Sequence, residues 1–132
     1  TELWLWKGYG RGIMTLKGHH AEALEKVFRR FCDRFALSQP ERPEPMLNIL
    51  AYHADGQWTL HVMPRKVHRP ACYFAEGAER ILLSPASVDL GGVFITPREE
   101  DFRKISAADI QTILGEVCLD EEELAILTKE IL

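Results

Sequence analysis

The chain has 132 residues, the length of one ordinary domain. Hydrophobic residues make up 46% and charged residues 27%, which excludes the disordered and fibrous classes. The net charge of −4 argues against a dedicated nucleic-acid or membrane-surface binder, because both favour a basic excess. No apolar run approaches the roughly 20 residues that span a bilayer. We therefore expect a soluble single domain over residues 1–132.

The ends and the cysteines indicate the setting of this domain. The sequence begins at Thr1 without a methionine, has no secretory signal and ends on two apolar residues. We therefore expect it to be the C-terminal part of a longer protein. Its three cysteines, Cys32, Cys72 and Cys118, form no CxxC pair and fit no disulfide framework. We expect reduced, buried thiols in a cytoplasmic protein.

The N-terminal third predicts two short strands followed by a helix. Apolar runs within residues 1–17 are interrupted by the glycine-rich residues 8–12, which match neither GxGxxG nor a P-loop and favour a turn or bulge. In residues 20–37 apolar side chains recur every three or four positions, as in an amphipathic helix. Three prolines in residues 38–45 predict an extended loop.

Residues 46–65 predict a β-hairpin. Asp55-Gly56 suits a two-residue turn, because that turn needs positive φ. The turn pairs Leu50 with His61, and side chains then alternate between two faces. The predicted core face carries Leu47, Ile49, Ala51, Trp58, Leu60 and Val62, with His53 at the turn end. The other face carries Asn48, Leu50, Tyr52, Gln57, Thr59, His61 and Met63, a mixture typical of a ligand or subunit surface.

The remaining segments complete an α+β prediction. Residues 64–70 predict a short exposed basic loop between two prolines, and residues 81–83 and 92–96 predict further strands. Ser106 and Asp120 predict the N-caps of two C-terminal helices. We expect a mainly antiparallel sheet with a tight central hairpin, one helix before it and two helices at the C-terminus.

The residues alone assign no catalytic group, no metal and no cofactor. HExxH and GxSxG motifs are absent, and the acidic run at 121–123 is typical of a solvated helix start. The polar hairpin face beside Arg65 and Lys66 suits a phosphate-bearing ligand, because arginine offers a bidentate fork and lysine a point charge. A solvated loop beside a subunit interface explains the same residues equally well. A zinc site on His53, His61 and Cys72 is a weaker alternative.

Several segments resemble, in order, the C-terminal half of a known enzyme superfamily. Residues 57–65 resemble the end of the histidine-triad signature, in which three alternating histidines on a strand precede a Val-Ile-Pro-Arg-like sequence. Residues 48–50 and 91–95 extend the likeness to ATP adenylyltransferases (diadenosine tetraphosphate phosphorylases) and to plant GDP-galactose phosphorylases. Residues 9–13 and 113–117 resemble segments of the latter. We interpret the chain as histidine-triad-like, from a bacterial family of this kind.

The resemblance implies a duplicated histidine-triad-like fold that transfers a nucleotidyl group through a histidine intermediate. In these relatives the middle histidine of the triad attacks the α-phosphorus. The three triad positions here hold Gln57, Thr59 and His61, so Thr59 stands in the nucleophile's place and no catalytic residue is expected in this half. The expected substrate-binding residues are Asn48, Gln57, Thr59, His61, Arg65 and Lys66.

Two functions follow as hypotheses. The first is the non-catalytic C-terminal half of a nucleotidyltransferase or phosphorylase for a nucleotide or nucleotide-sugar, with the catalytic histidine in an N-terminal half that is its partner. The alternative is a degenerate binding or dimerisation module without enzymatic activity, able to form a homodimer. Neither hypothesis involves nucleic acid, a membrane or a cofactor.

Overall fold

The computed structural model describes residues 1–132 as an α+β fold, which confirms the predicted fold class. Its four strands form one antiparallel sheet in the order β1-β2-β4-β3. The elements are β1 (Glu2–Leu5), β2 (Met14–Gly18), α1 (Ala21–Ser38), β3 (Leu47–Ala54), β4 (Gln57–Pro64), α2 (Ala71–Phe74), a 3₁₀ turn (Gly77–Glu79), α3 (Ser87–Leu90), α4 (Glu99–Lys104), α5 (Ala107–Val117) and α6 (Glu121–Thr128). None of the helices combines the length and the apolar character that crossing a membrane requires.

The central hairpin has the predicted turn and register. Asp55 and Gly56 adopt φ values of 51° and 71°, the left-handed pair that a tight two-residue turn requires. The register pairs His53 with Trp58 and Leu50 with His61, as the sequence predicts. The side chains therefore alternate between the two faces as expected.

Helix α1 covers one face of the sheet and forms the first core with it. This core consists of Met14, Leu16, Leu24, Val27, Phe31, Phe35, Val62, Leu119, Leu124 and Ile131. The predicted core face is buried at Val62 but exposed at Ile49 (38%) and Trp58 (42%). These residues lie on or beside the edge strand β3, whereas α1 packs mainly against β2. The prediction that both are core residues is wrong, because an open depression lies between α1 and Trp58 instead of close packing.

A second core covers one end of the opposite face. Its members are Met63, Ile81, Leu83, Leu90, Ile113, Leu114, Val117 and Cys118. Helix α5 is held in place at its start by Ser106, whose hydroxyl accepts the Asp109 N–H. Asp120 caps α6 in the same way through the Glu123 N–H, so both predicted caps are confirmed. The rest of this sheet face remains open.

The strands predicted at residues 81–83 and 92–96 are wrong. Both sides of β4 are already paired, and the segments run outside the sheet as irregular chain. Ile81 and Leu83 are buried as part of the second core. Near residues 92–96 the Asp89 carboxylate accepts the N–H groups of Ala86 (2.9 Å) and Ile95 (3.0 Å). A side chain therefore satisfies backbone donors that a strand partner would otherwise take.

The three cysteines are all reduced. Cys118 is buried, which confirms the expectation for this residue, while Cys32 and Cys72 are only half-buried. Burial raises the pKa of all three thiols. The cysteines therefore remain protonated at neutral pH, in the form that is poorly nucleophilic.

Candidate functional site

The sheet face opposite α1, called the open face below, carries the polar positions of the hairpin. The register places Asn48, Gln57, Thr59 and His61 on this face, as the sequence predicts. Pairing with β2 adds Thr15 beside His61 and Lys17 beside Thr59.

Thr59 lies at the centre of the open face. It is 4% exposed, and the register sets Lys17 on one side of it and Tyr52 on the other. A threonine hydroxyl is a weak nucleophile unless a general base takes its proton, and no side chain is hydrogen-bonded to the Thr59 hydroxyl. The central position of the open face therefore holds no nucleophile.

Arg65 is a buried structural residue rather than part of an exposed loop. It is 3% exposed, and its guanidinium donates to Asn48 Oδ1 (2.7 Å) and to the carbonyls of Pro85 (2.6 Å) and His68 (2.6 Å). Asn48 donates in turn to Ser87 Oγ at 3.1 Å. The prediction of an exposed basic loop is wrong at this position, because the donors of Arg65 satisfy carbonyls of the chain itself.

Gln57 and Lys66 border two different depressions, neither of which includes His61. Gln57 borders a small depression with Lys17 and His19 near the hairpin turn. The Lys66 ammonium lies 3.3 Å from a Glu123 carboxylate oxygen, in a groove beside the end of α1. Of the six residues predicted to bind substrate, Gln57, Thr59 and His61 lie at alternate positions of β4 on the open face, Asn48 on the same face is hydrogen-bonded to the buried Arg65, and Lys66 lies apart from them.

His61 belongs to a hydrogen-bonded chain that fixes its tautomer. Trp6 donates its indole N–H to Thr15 Oγ1 at 2.7 Å, and that hydroxyl lies 2.7 Å from His61 Nδ1. Thr15 is fully buried, and its hydroxyl has no third partner. Because the indole nitrogen only donates, His61 Nδ1 is the acceptor that these bonds offer to the buried hydroxyl hydrogen, and we assign the tautomer of His61 on that basis. Neutral His61 therefore carries its proton on Nε2.

The charge state of His61 follows from its surroundings. Burial lowers the pKa of the imidazole, and the nearby Lys17 ammonium lowers it further. His61 is therefore neutral at pH 7 and presents an N–H donor.

A cavity of about 440 Å³ opens beside His61 on the open face. Its lining consists of Trp6, Tyr9, Arg11, Ile13, Leu50, His61, Met63, Leu90, Gly91 and Gly92. The volume falls within the roughly 300–1,000 Å³ of small-molecule sites. Trp6 and Tyr9 meet edge to face with ring centroids 5.6 Å apart. The cavity thus joins aromatic walls to two nitrogen donors, His61 and Arg11.

Arg11 is a half-buried cation without an acidic partner. Its guanidinium donates to the carbonyl oxygens of Leu90 (2.9 and 2.5 Å) and Tyr9 (2.7 Å), and it takes part in no ion pair. Burial lowers its pKa, although it stays protonated at any physiological pH. These bonds tie the glycine-rich turn to the end of α3 and hold Arg11 in the cavity wall.

Sequence reasoning missed Trp6, Tyr9 and Arg11 as site residues. The glycine-rich segment that carries two of them predicts only a turn. Gly8 and Gly10 do adopt positive φ, at 81° and 69°, so the turn itself is correct. Its contribution to a cavity depends on Leu90 and His61, which lie far away in the sequence.

The zinc alternative is wrong. His53 lies against Trp58 on the α1 side of the sheet, with ring centroids 4.6 Å apart and the rings tilted by 45°, whereas His61 is on the open face. Cys72 lies beside the second core. No three His, Cys, Asp or Glu side chains in residues 1–132 come together as metal ligands.

The fold and the site define an α+β domain with a ligand-sized cavity on one face of an antiparallel sheet. The chain belongs to the family described as GDPGP1-like, C-terminal domain, whose model matches residues 7–132. This finding confirms the resemblance to the C-terminal part of GDP-galactose phosphorylase-type proteins. Comparison with curated proteins and with solved structures gave no match.

Proposed function

We propose that this domain is the non-catalytic C-terminal half of a nucleotidyltransferase or phosphorylase acting on a nucleotide or nucleotide-sugar. The reacting histidine belongs to an N-terminal half of the same protein, which is its partner. The family membership supports the enzyme class, since the matched family is the C-terminal domain of GDPGP1-like proteins.

The observation that carries the proposal is Thr59 at the centre of an otherwise ligand-ready face. Attack on the α-phosphorus needs a nitrogen lone pair directed at phosphorus. Thr59 lacks one and is buried, while His61 has a hydrogen on its free nitrogen, Nε2. The face therefore offers a cavity for binding and no group for covalent transfer.

A supporting half contributes to phosphoryl chemistry without a nucleophile. Phosphoryl transfer depends largely on positioning and on stabilisation of negative charge. The cavity holds Arg11 and His61 as donors and contains no carboxylate in its lining. These features suit the orientation of a nucleotide whose phosphates react elsewhere.

The test compares the parent protein with this chain alone. Both are incubated with nucleoside-diphosphate sugars and phosphate, and nucleotide products are separated by chromatography. A parallel sample with α-³²P-labelled nucleotide is denatured in alkali, in which a histidine phosphoramidate survives. We expect turnover and label on the parent protein and neither on the chain alone. Label on the chain alone would refute a non-catalytic role, and an inactive parent protein would refute the enzyme class.

The edge strand β3 favours a second candidate, a dimerisation module without enzymatic activity. Its residues 47–54 carry no charged side chain, and Leu50 (38%) and Tyr52 (51%) are exposed beside its free edge. Natural edge strands normally carry charges or prolines that block pairing. This candidate predicts a dimer in sedimentation analysis that Ala51→Lys dissociates, with no turnover by the parent protein. A monomer at all concentrations would refute it.

A further inference from the structure

The indole of Trp6 is the movable part of the cavity wall beside His61. The backbone around it is fixed, since the Trp6 N–H donates to the Ile13 carbonyl at 3.0 Å. Its side chain is 42% exposed and has one polar partner, the Thr15 hydroxyl, at 2.7 Å. The exposed Tyr9 ring meets the indole edge to face. The position of this aromatic pair therefore depends on the bond to Thr15.

The Thr15 hydroxyl connects the indole to His61 in one direction only. Its oxygen accepts from Trp6, and its hydrogen goes to Nδ1 of neutral His61, 2.7 Å away. Thr15 is fully buried, and no other group is bonded to its hydroxyl. Because a buried hydroxyl hydrogen without an acceptor is costly, the arrangement requires the lone pair on Nδ1.

Protonation of His61 reverses the last bond of this chain. Nε2 already carries a hydrogen, so a proton taken from solvent adds to the lone pair of Nδ1. The Thr15 oxygen then faces two donors, Nδ1–H and the indole N–H, while its own hydrogen has lost its acceptor. If the indole leaves, water reaches the hydroxyl and accepts this hydrogen. The protonated state therefore favours an indole that has moved outward.

The charges around His61 oppose its protonation and keep the chain intact at neutral pH. Lys17 on β2 lies near the imidazole, and Arg11 is the cation of the cavity lining. Tyr52 on β3 and Tyr9 in the turn are the other titratable groups that face it, and no carboxylate lines the cavity. Burial lowers the pKa of His61, and the Lys17 ammonium lowers it further. Proton uptake therefore needs a pH below the ordinary imidazole value of about 6.5.

We propose that Trp6, Thr15 and His61 form a proton-sensitive latch on the cavity. While His61 is neutral, the latch holds the indole in the wall. When Nδ1 takes up a proton, the indole moves outward together with Tyr9, and the mouth of the cavity widens. The latch consists of residues of this chain alone and is independent of the proposed function.

The fluorescence of Trp6 reports the position of the indole. Trp4→Phe and Trp58→Phe remove the other two tryptophans, and the second change also removes the ring that His53 contacts. Between about pH 7.5 and pH 5 we expect the emission maximum to move to longer wavelength and acrylamide quenching to increase, with a midpoint below pH 6.5. Because one proton is bound, the ratio of released to held indole should change by at most about tenfold for each pH unit.

Variants of the two partners test whether this transition comes from the latch. Thr15→Val removes the hydroxyl and His61→Phe removes the group that titrates, so we expect both variants to lose the transition. Thr15→Ser keeps a hydroxyl at the same position and should keep the transition. Circular dichroism at each pH checks that the variants remain folded.

Lys17→Met tests the charge without touching the latch. It removes the cation that opposes protonation of His61, so the midpoint should move to higher pH. A purely structural role of the two hydrogen bonds would leave the midpoint unchanged. His53→Phe, on the opposite face of the same hairpin, is the matched control and should not move it. In the wild-type chain at about pH 7.5, ¹⁵N NMR should place the His61 proton on Nε2.

Several results would overturn the inference. They are a proton on His61 Nδ1 at neutral pH, an indole that does not respond to acid, and a transition that survives in Thr15→Val or His61→Phe. A midpoint that stays in place in Lys17→Met, or a transition that coincides with loss of secondary structure, would overturn it as well. If the Thr15 and His61 variants do not fold, the wild-type tautomer and the Lys17→Met midpoint decide the question.

Discussion

Replacing Arg65 by methionine tests whether this residue supports the fold rather than a ligand. The methionine side chain fills part of the space of the arginine stem but has no N–H donor. The carbonyl of Pro85 and the amide oxygen of Asn48, which Arg65 holds at 2.6 and 2.7 Å, then lose their partner, whereas water can replace the bond to the carbonyl of the exposed His68. Two charge-assisted bonds are each worth about 1.5–3 kcal/mol. Removing the buried positive charge also removes its desolvation cost, which offsets part of this loss. We therefore expect the free energy of unfolding to fall by about 3 kcal/mol.

The assay is urea unfolding followed by circular dichroism, together with a thermal melt. For a chain of this size a loss of 3 kcal/mol lowers Tm by roughly 10 °C. Arg69→Met is the matched control in the same loop, since Arg69 is exposed and lies over the Tyr73 ring at 4.3 Å. The control should lose about 1 kcal/mol or less. Equal stability of the two variants would refute a structural role for Arg65.

Two further predictions concern Asp101 and the glycines. Asp101 is fully buried, and its carboxylate accepts hydrogen bonds from the Leu82 N–H (2.9 Å) and from Arg98 (2.8 and 2.9 Å). The bonds from Arg98 are the main reason that the pKa of Asp101 lies well below its usual range. Its stabilising effect is therefore fully present above the unfolded-state pKa of about 4 and is lost as the pH falls below that value. Asp101→Asn should cost about 3 kcal/mol at pH 7, and its stability should fall less than that of the wild type between pH 4 and pH 2 in urea melts; parallel pH profiles would contradict this. Gly92 has a φ of 121°, so Gly92→Ala should lose about 1–2 kcal/mol, whereas Gly115→Ala in the exposed part of α5 should gain about 0.5–1 kcal/mol. The same sign of change at both glycines would contradict the backbone argument.

The parts of the fold that local signals determine could be predicted from the sequence. Asp55-Gly56 is sufficient to set the hairpin register, because the turn type fixes which residues face each other. The spacing of Leu24, Val27 and Phe31 marks the buried side of α1, and Ser106 marks the start of α5. In each case, residues that are close together in the sequence are sufficient to determine the local structure.

The parts that depend on distant neighbours could not be predicted. The apolar residues 81–83 fit a strand pattern. Ile81 and Leu83 are buried in the second core, but the backbone of this segment pairs with no strand of the sheet. Arg65 and Arg69 cannot be distinguished by charge in the sequence. Arg65 is structural because the fold places the Pro85 carbonyl within hydrogen-bond distance of its guanidinium. The exposure of Ile49 likewise depends on where α1 ends its contact with the sheet.

The candidate site shows the same division. His61 and Thr59 were placed on one face by the hairpin alone. The cavity around His61 needs Trp6 and Arg11 from the N-terminal turn and Gly91 from the end of α3, and no local pattern relates these segments. The buried hydroxyl of Thr15 connects Trp6 to His61 through two hydrogen bonds, and no sequence pattern predicts such a connection.

Thr59 and His61 occupy alternate positions of one strand but have different surroundings. His61 lines the cavity, whereas Thr59 occupies the position that a nucleophilic histidine would hold. The imidazole lone pair that covalent transfer needs is absent at position 59, and this residue does not line the cavity. The cavity instead depends on the Trp6–Thr15–His61 chain, which also places a hydrogen on the one nitrogen of His61 that could have attacked phosphorus. The same hydrogen bond that orients His61 in the cavity wall therefore makes it unsuitable as a nucleophile.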